Sequence, residues 1–434
     1  MRKSVWEESV KLSKFEKLSG DVKTDVLVIG GGICGILCAY FLKQSGIDCI
    51  LVEGQRILSG ISKNTTAKIT AQHGLIYSKL IKSFGKEKAQ MYLSANRNAL
   101  EIFAKMSKSI DCDFEIKDSY VYSVSDRRKI ENEVLAINSL DYFVRFKETT
   151  DLPFKTEGAI CFTNQAQFNP LKFASEIIKD LKIYENTFVY DIVNGEAVTN
   201  SGKIMAKKII CATHFPFINK HGSYFLKLFQ HRSYVSAFEN AIIPNGIYVD
   251  EDETGMSFRS YRDLLLIGGG GHRTGKKGGA WKEINSFAKR YYQNAEPKYE
   301  WATQDCMSLD GVPYIGKYSR YTPDLYVATG FNKWGMTSSM IAAQILCDMV
   351  QGKKNEFEKV FSPQRNIIKP QLFINGIETV TNLLSPTKKR CPHLGCALKW
   401  NKAERTWDCP CHGSRFDDSG KLIDNPATDD ANVK

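Results

Sequence analysis

Residues 25–53 read DVLVIGGGICGILCAYFLKQSGIDCILVE, and the order of elements within them decides the fold. After Asp25, VLVI is an unbroken apolar run of strand length that ends on glycine, the pattern of a strand buried on both faces. Residues 34–45, small and apolar, continue as a helix, and residues 48–52 return to a second buried strand, closing a strand-helix-strand unit. Gly30, Gly32 and Gly35 fill G-x-G-x-x-G between the first strand and the helix, and Glu53 ends the second strand. Gly30 makes the tight turn, Gly32 lets backbone amides approach a pyrophosphate at the helix N-terminus, and Gly35 lets the helix sit on the strand. Glu53 is placed to accept ribose hydroxyls. The unit predicts a dinucleotide site without saying which dinucleotide.

Composition narrows the setting. With 43% hydrophobic residues over 434 positions, the chain can bury a full core divided into two or three units. The net charge of +11 is spread thinly, and the run Lys388, Lys389, Arg390 is only three long. That argues for a solvated basic surface against a nucleic-acid site, and leaves an acidic redox protein as a partner. The first 20 residues carry charges where a signal peptide needs an apolar run, and no stretch of about 18 apolar residues occurs. The expectation is a cytoplasmic protein without a membrane span.

Outward from the glycine turn, apolar positions recur at helical spacing over residues 87–108, and residues 169–181 form a helix opened by Pro170. Strand-like stretches at 120–124, 142–146, 188–192, 208–211, 247–249, 256–261 and 264–267 suggest a second sheet over the nucleotide domain. Residues 326–328 return to buried strand, and 335–350 form a long closing helix. A second glycine run, 268–271, is read as a tight turn, because HRTGKKGG after it presents no helix N-terminus to a phosphate. A single dinucleotide site argues against a reductase that carries both NAD and FAD. The expected domains are a lead-in at 1–20 packing on the surface, a nucleotide-binding part at 21–75, 156–215 and 300–352, and a substrate part at 76–155 and 216–299. A linker at 353–386 and a small domain at 387–434 follow.

Eight of the twelve cysteines are scattered singly or within apolar runs, as buried thiols are. The other four, Cys391, Cys396, Cys409 and Cys411, crowd together with His393 and His412, a metal-ligand pattern. Spacing alone also permits a Cys2His2 zinc site.

Cys391-Pro-His393-Leu-Gly-Cys396 and Cys409-Pro-Cys411-His412-Gly-Ser414 resemble the two ligand loops of Rieske domains, prolines included. The resemblance implies a [2Fe-2S] cluster with Cys391 and Cys409 on one iron and His393 and His412 on the other. It further implies a disulfide between Cys396 and Cys411. Replacing two thiolates by neutral imidazoles raises the potential of such a cluster. A Rieske domain usually adds several strands before its first ligand loop, and only residues 373–386 are available for them here, so the tail is expected to lean on the rest of the protein.

Three further segments resemble the D-amino-acid-oxidase-like family of FAD enzymes, which includes glycine and sarcosine oxidases. They are SGISKNTTAKIT at 59–70, GAICFTNQAQFNP at 158–170 with IICATHFP at 209–216, and DGVPYIG at 310–316 with ATGF at 328–331 and GMT at 335–337. The likeness spans about residues 20–352 and implies an α/β fold: a Rossmann-like FAD-binding domain with an antiparallel-sheet substrate domain, to which the all-β Rieske subdomain is added. It implies FAD contacts from Ile33, Cys34, Ser62, Thr65, Thr66, Val189, Ala212, Gly330, Gly335, Met336 and Thr337, besides the fingerprint glycines and Glu53. The helix opening at Gly335 would turn its free amides toward the flavin pyrimidine. By rough position, Arg259 and Tyr261 lie over the flavin, where an Arg fork suits a substrate carboxylate, although a structural Arg fits equally. Lys68 and His73 would face the ring, and His272 follows the glycine run. A lysine that promotes reaction with oxygen in sarcosine oxidases falls in a strand resembling LLLIG at 264–268, where this chain has none.

The whole resembles bacterial fusions of this flavoenzyme family with a C-terminal Rieske domain. That implies a dehydrogenase that oxidises an amine or amino-acid-like substrate and relays electrons from flavin to cluster. Two alternatives stay open: a reductase fed through the cluster, and a non-enzymatic redox-sensing module.

Overall fold

The computed structural model describes residues 2–433. Strand Val22–Ile29 lies at the centre of a parallel sheet, flanked by Cys49–Val52 on one side and Gly202–Cys211 on the other. Lys182–Tyr184 extends it beyond Cys49–Val52, and Leu325–Thr329 extends it beyond Gly202–Cys211. Helices Ile33–Gln44 and Gly335–Val350 pack on one face of this sheet. They are apolar almost all round, which is why both read so plainly in the sequence.

A second, nine-stranded sheet crosses over the first. Its order is Glu296–Ser308, Leu228–Glu239, Leu264–Arg273, Ser257–Tyr261, Ile247–Asp250, Glu115–Ser123, Gly158–Gln167 and Lys68–Ile69, with Arg145–Lys147 added on Gly158–Gln167. All of its pairings are antiparallel except that of Ile247–Asp250 with Glu115–Ser123. Gly158–Gln167 and Glu296–Ser308 therefore belong to the covering sheet, whereas the sequence boundaries put residues 156–167 and 300–308 with the nucleotide part.

Two further expectations change. The glycine run at 268–271 is not a turn but the second half of strand Leu264–Arg273. Side chains there would collide with neighbours: a Cβ at Gly269 would meet Met256 Sδ at 2.3 Å, and one at Gly271 would meet His231 at 2.8 Å. The run lets a strand pass close to its surroundings, a use of glycine that looks like turn chemistry in sequence. The lead-in runs along the surface but is pinned by Trp6, which is fully buried and donates from Nε1 to the Thr65 carbonyl at 2.8 Å. The linker is folded as well. Arg365 forms a buried ion pair with Asp310 at 2.7 Å and donates to the carbonyl of Pro313, and Pro370–Leu384 is a helix with proline at its first turn.

The tail closes as a four-stranded antiparallel sheet, Lys399–Asn401, Thr406–Asp408, Arg415–Phe416 and Leu422–Asp424. Its own apolar cluster is small, built on Leu398, Phe416, Ala427 and the four cysteines.

Candidate functional site

One cavity of about 1070 Å³ runs between the two sheets and down to the tail. Its nucleotide end is lined by Gly30, Gly32, Ile33, Cys34, Glu53, Ser62, Thr65, Thr66, Val189 and Ala212. Gly30 has φ +113°, and a Cβ there would stand 2.5 Å from the Ala212 carbonyl oxygen; one at Gly35 would stand 1.9 Å from that of Gly30. The backbone is thus packed as tightly as a pyrophosphate cradle requires. Glu53 accepts the amides of Gly31 at 2.7 Å and Gln55 at 2.9 Å, which holds its carboxylate at the rim although burial raises its pKa. At the far side, Gly335, Met336 and Ser339 bring the start of helix Gly335–Val350 to the cavity without a side-chain cap, and the buried Ser339 Oγ has no hydrogen-bond partner. Free amides and an orphan hydroxyl fit the polar edge of a flavin. Gly35, Gly330 and Thr337 support this lining from behind: Thr337 Oγ1 meets His73 Nε2 at 3.2 Å.

The covering sheet contributes Lys68, Ser257, Gly268, Gly269, Thr303 and Asp305 to the same cavity, with Lys333 opposite. Lys68 Nζ donates to Thr66 Oγ1 at 3.0 Å and Ser257 Oγ at 3.3 Å. Burial lowers its pKa to about 7, helped by the Arg259 charge. Burial raises Asp305 to about 6, against the pull of Lys333, Arg232 and Lys68. Neither Asp305 nor Lys333 stood out in sequence, since each is a lone charge in an ordinary stretch. His73 lines the cavity, yet burial lowers its pKa to about 3, and it is held by Tyr92 Oη at 2.7 Å and stacked on Trp334. It is a neutral wall residue.

Arg259 and Tyr261 are not part of the cavity lining. Arg259 is buried and spends its guanidinium on the carbonyls of Thr66 (2.6 Å), Ala67 (3.0 Å) and Ser260 (2.9 Å), with the Trp6 ring beside it. Tyr261 Oη donates to Asp113 at 2.9 Å and accepts from Asn169 Nδ2. Arg259 clamps the Thr66–Ala67 loop, and Tyr261 ties Asp113 to Asn169 at the start of helix Pro170–Ile177. His272 meets Tyr234 Oη at 3.2 Å and likewise stays outside the lining.

The tail supplies Leu422, Ile423, Asp424, Asn425, Ala427 and Thr428 to the cavity wall. Behind them the two ligand loops meet. Each is a tight turn closed by its own backbone: Cys391 N–H donates to Cys396 O at 2.8 Å, and Cys409 N–H to Ser414 O at 2.9 Å. The rings of His393 and His412 lie 4.9 Å apart and nearly perpendicular. Burial lowers both histidines, His393 to about 4, so both imidazoles are neutral as ligands must be. His393 uses Nε2 on Asn219 Oδ1 at 3.1 Å and leaves Nδ1 buried without a partner, the donor set expected of a metal-binding imidazole. The sulfurs of Cys396, Cys409 and Cys411 lie within 4.8 Å of one another, and Cys391 hydrogen-bonds with Cys409. The other three thiols therefore gather around Cys409, whose pKa they push down. The expected disulfide partners Cys396 and Cys411 bring their sulfurs within 4.8 Å of each other, and both also share hydrogen bonds with Cys409.

A polar seam joins tail to covering sheet. Gln230 Nε2 donates to the carbonyls of His412 (2.9 Å) and Asn425 (3.1 Å), while its Oε1 accepts from Gln304 at 2.6 Å and contacts His214 Nε2 at 3.2 Å. Arg273 donates to the carbonyls of Pro410 and Cys411. Arg232 pairs with Glu404, which also meets Arg415 at 2.8 Å, and Arg415 continues to Asp408 and Asp424. The expected dependence of the tail on the flavin part is realised in these contacts, most of whose residues carry no motif.

A dinucleotide cradle under a covering sheet, with a cysteine and histidine centre on its flank, defines a two-centre flavoprotein oxidoreductase. The chain belongs to the FAD dependent oxidoreductase family, whose model matches residues 25–349, and it carries a Rieske [2Fe-2S] domain matched over residues 367–433. It is 34% identical, over 97% of its length and 95% of the relative's, to the putative Rieske 2Fe-2S iron-sulfur protein YhfW of Bacillus subtilis. It is 22% identical to the gamma-glutamylputrescine oxidoreductase of Escherichia coli over 80% of this chain and 88% of that one. Among solved structures, glycine oxidase from Geobacillus kaustophilus superposes with a TM-score of 0.68 at 18% identity, covering 80% of this chain and 99% of the other. Among the described residues no helix is long and apolar enough to cross a membrane.

Proposed function

We propose that the chain is a dehydrogenase that oxidises the C–N bond of an amine or amino-acid-like substrate and sends the electrons from FAD into its own Rieske cluster. The observation that carries this reading is the shared wall: residues 422–428 of the tail line the same cavity as the glycine cradle, and Gln230 links that wall to the His412 loop. FAD supplies a two-electron acceptor for the substrate, and a Rieske cluster takes electrons one at a time at a raised potential.

The chain's own groups suit a zwitterionic substrate. Lys68, protonated below about pH 7, offers a cation to a carboxylate, and Asp305, ionised above about pH 6, offers an acceptor to an ammonium. Relatives named for gamma-glutamylputrescine and for glycine support a C–N substrate. Strand Leu264–Arg273 turns Gly268 and Gly269, not a lysine, toward the cavity, which supports the tail over oxygen as the electron exit; the lysines that do reach the cavity, Lys68, Lys79, Lys333 and Lys369, come from other elements.

The test is anaerobic mixing of the holoprotein with amines and amino acids while flavin absorption and the cluster's electron paramagnetic signal are followed. The expected result is flavin bleaching followed by the signal of the reduced cluster. A bleached flavin beside a cluster that stays oxidised would sink the relay, and a flavin reduced only by an external electron carrier would reverse its direction.

A further inference from the structure

Helix Pro370–Leu384 sits in the molecule inside out. Its polar residues Asn375 and Asn382 are buried, and Glu378 turns inward to Lys276 at 2.7 Å. Arg273 reaches Asn375 Oδ1 at 2.9 Å, and the Asn382 carbonyl accepts the Ala397 amide at 3.0 Å. The opposite face is apolar and open to solvent: Phe373, Ile374, Ile377, Val380 and Leu384 are 53–78% exposed. At 100° per residue these five fall within about a third of the helix circumference, so they form one stripe and not scattered surface residues. Leu394, beside His393, extends the apolar surface to the cluster loop, because Arg390 ties the Leu383 carbonyl (3.1 Å) to that of Gly395 (2.8 Å). A contiguous apolar face of this size on a charged protein marks a surface that meets something.

Charge selects the occupant. Glu378 is the only charged residue on the helix and faces inward, whereas Lys369 precedes the helix and Lys388, Lys389 and Arg390 follow it, in a chain of net charge +11. A second copy laid on this face would set basic ends against basic ends in either orientation. We infer that the helix is an interfacial anchor that docks the protein, apolar stripe inward, on an anionic lipid bilayer. At 15 residues with one face committed to protein, it lies on the bilayer and does not span it. The cluster loop carrying Leu394 and the cavity edge formed by Lys369, Pro370 and Gln371 then face the same lipid surface.

The test is co-sedimentation of the holoprotein with phosphatidylcholine vesicles and with vesicles of equal parts phosphatidylcholine and phosphatidylglycerol. The wild-type chain is expected to partition onto the anionic vesicles, remain in solution with the neutral ones, and be released by salt. Ile377→Glu with Val380→Glu is expected to abolish sedimentation while flavin and cluster absorption stay unchanged, since both side chains face solvent. Lys388→Gln is expected to weaken partitioning by roughly fivefold, as one basic group near an anionic surface does. Wild-type protein that stays in solution with both vesicles overturns the proposal. So does a dimer, seen by light scattering, that the double glutamate variant splits.

Discussion

At the nucleotide end of the cavity the site is shaped by backbone, and at the cluster end by side chains borrowed from elsewhere. Gly30 and Gly35 approach neighbouring carbonyls so closely that no side chain fits, and the parallel sheet beneath them has a large core of its own. The ligand loops rest on a small apolar cluster and on a seam in which Gln230, Arg232, Arg273 and Gln304 reach over from the covering sheet. A small domain with so little core needs such external support. The dependence should run one way: the flavin part can stand without the tail, and the tail cannot stand without the flavin part.

The largest effects test that asymmetry. Gly35→Val would drive a Cβ into the Gly30 carbonyl, and loss of both flavin and cluster absorption is expected, because the platform under the seam goes with the cradle. Cys409→Ser should remove the cluster signal alone and leave flavin absorption in place; loss of flavin as well would break the comparison. Next comes Glu404→Ala, which leaves Arg232 and Arg415 buried without their shared partner at a cost of about 3 kcal/mol. Faster hydrogen exchange across residues 399–424, with the parallel sheet unaffected, would register it. Burial alone would raise the Glu404 carboxyl, but Arg232 and Arg415 hold it below its ordinary 4.5. Its contribution is therefore present above pH 4.5 and lost as pH falls further, so acidification should loosen the tail before the core.

The same contrast explains what could be read from the chain. Gly30 to Glu53 and Cys391 to His412 announce themselves because their chemistry lies in consecutive residues, and helix Gly335–Val350 has the bounds expected from its apolar pattern. The seam was illegible: Gln230 and Gln304 are 74 residues apart, and their pairing exists only once strand Leu228–Glu239 lies beside Glu296–Ser308. Glycines 268–271 misled because a strand that needs close approach and a turn that needs positive φ use the same residue. Helix Pro370–Leu384 was passed over because Ser-Pro and Lys-Pro pairs mark a linker, although Pro370 occupies the first turn where proline is tolerated.

Smaller effects probe the middle of the cavity. Gln230→Leu would orphan the His412 and Asn425 carbonyls, and flavin reduction at the wild-type rate followed by roughly tenfold slower cluster reduction is the expected stopped-flow result. If both steps slow equally, Gln230 serves the flavin site and not the seam. For Lys68 the sign follows from a pKa of about 7: the ammonium is charged below that pH and neutral above it, so KM for a carboxylate substrate should rise on the alkaline side. Lys68→Met should give the high KM at every pH and flatten the profile.

Tyr261→Phe should change catalysis least, and it separates the cavity from its supports. Its hydroxyl bonds Asp113 and Asn169, and Asn169 in turn caps helix Pro170–Ile177 by accepting the Leu171 and Lys172 amides at 3.1 Å. Removing one hydroxyl from this network costs about 1 kcal/mol, visible as a lowered midpoint in thermal unfolding. Because Tyr261 is absent from the cavity lining, kcat, KM and the pH profile set by Lys68 should all hold. A change in kcat without a change in unfolding midpoint would return Tyr261 to the reacting centre and, with it, Arg259 on the same strand.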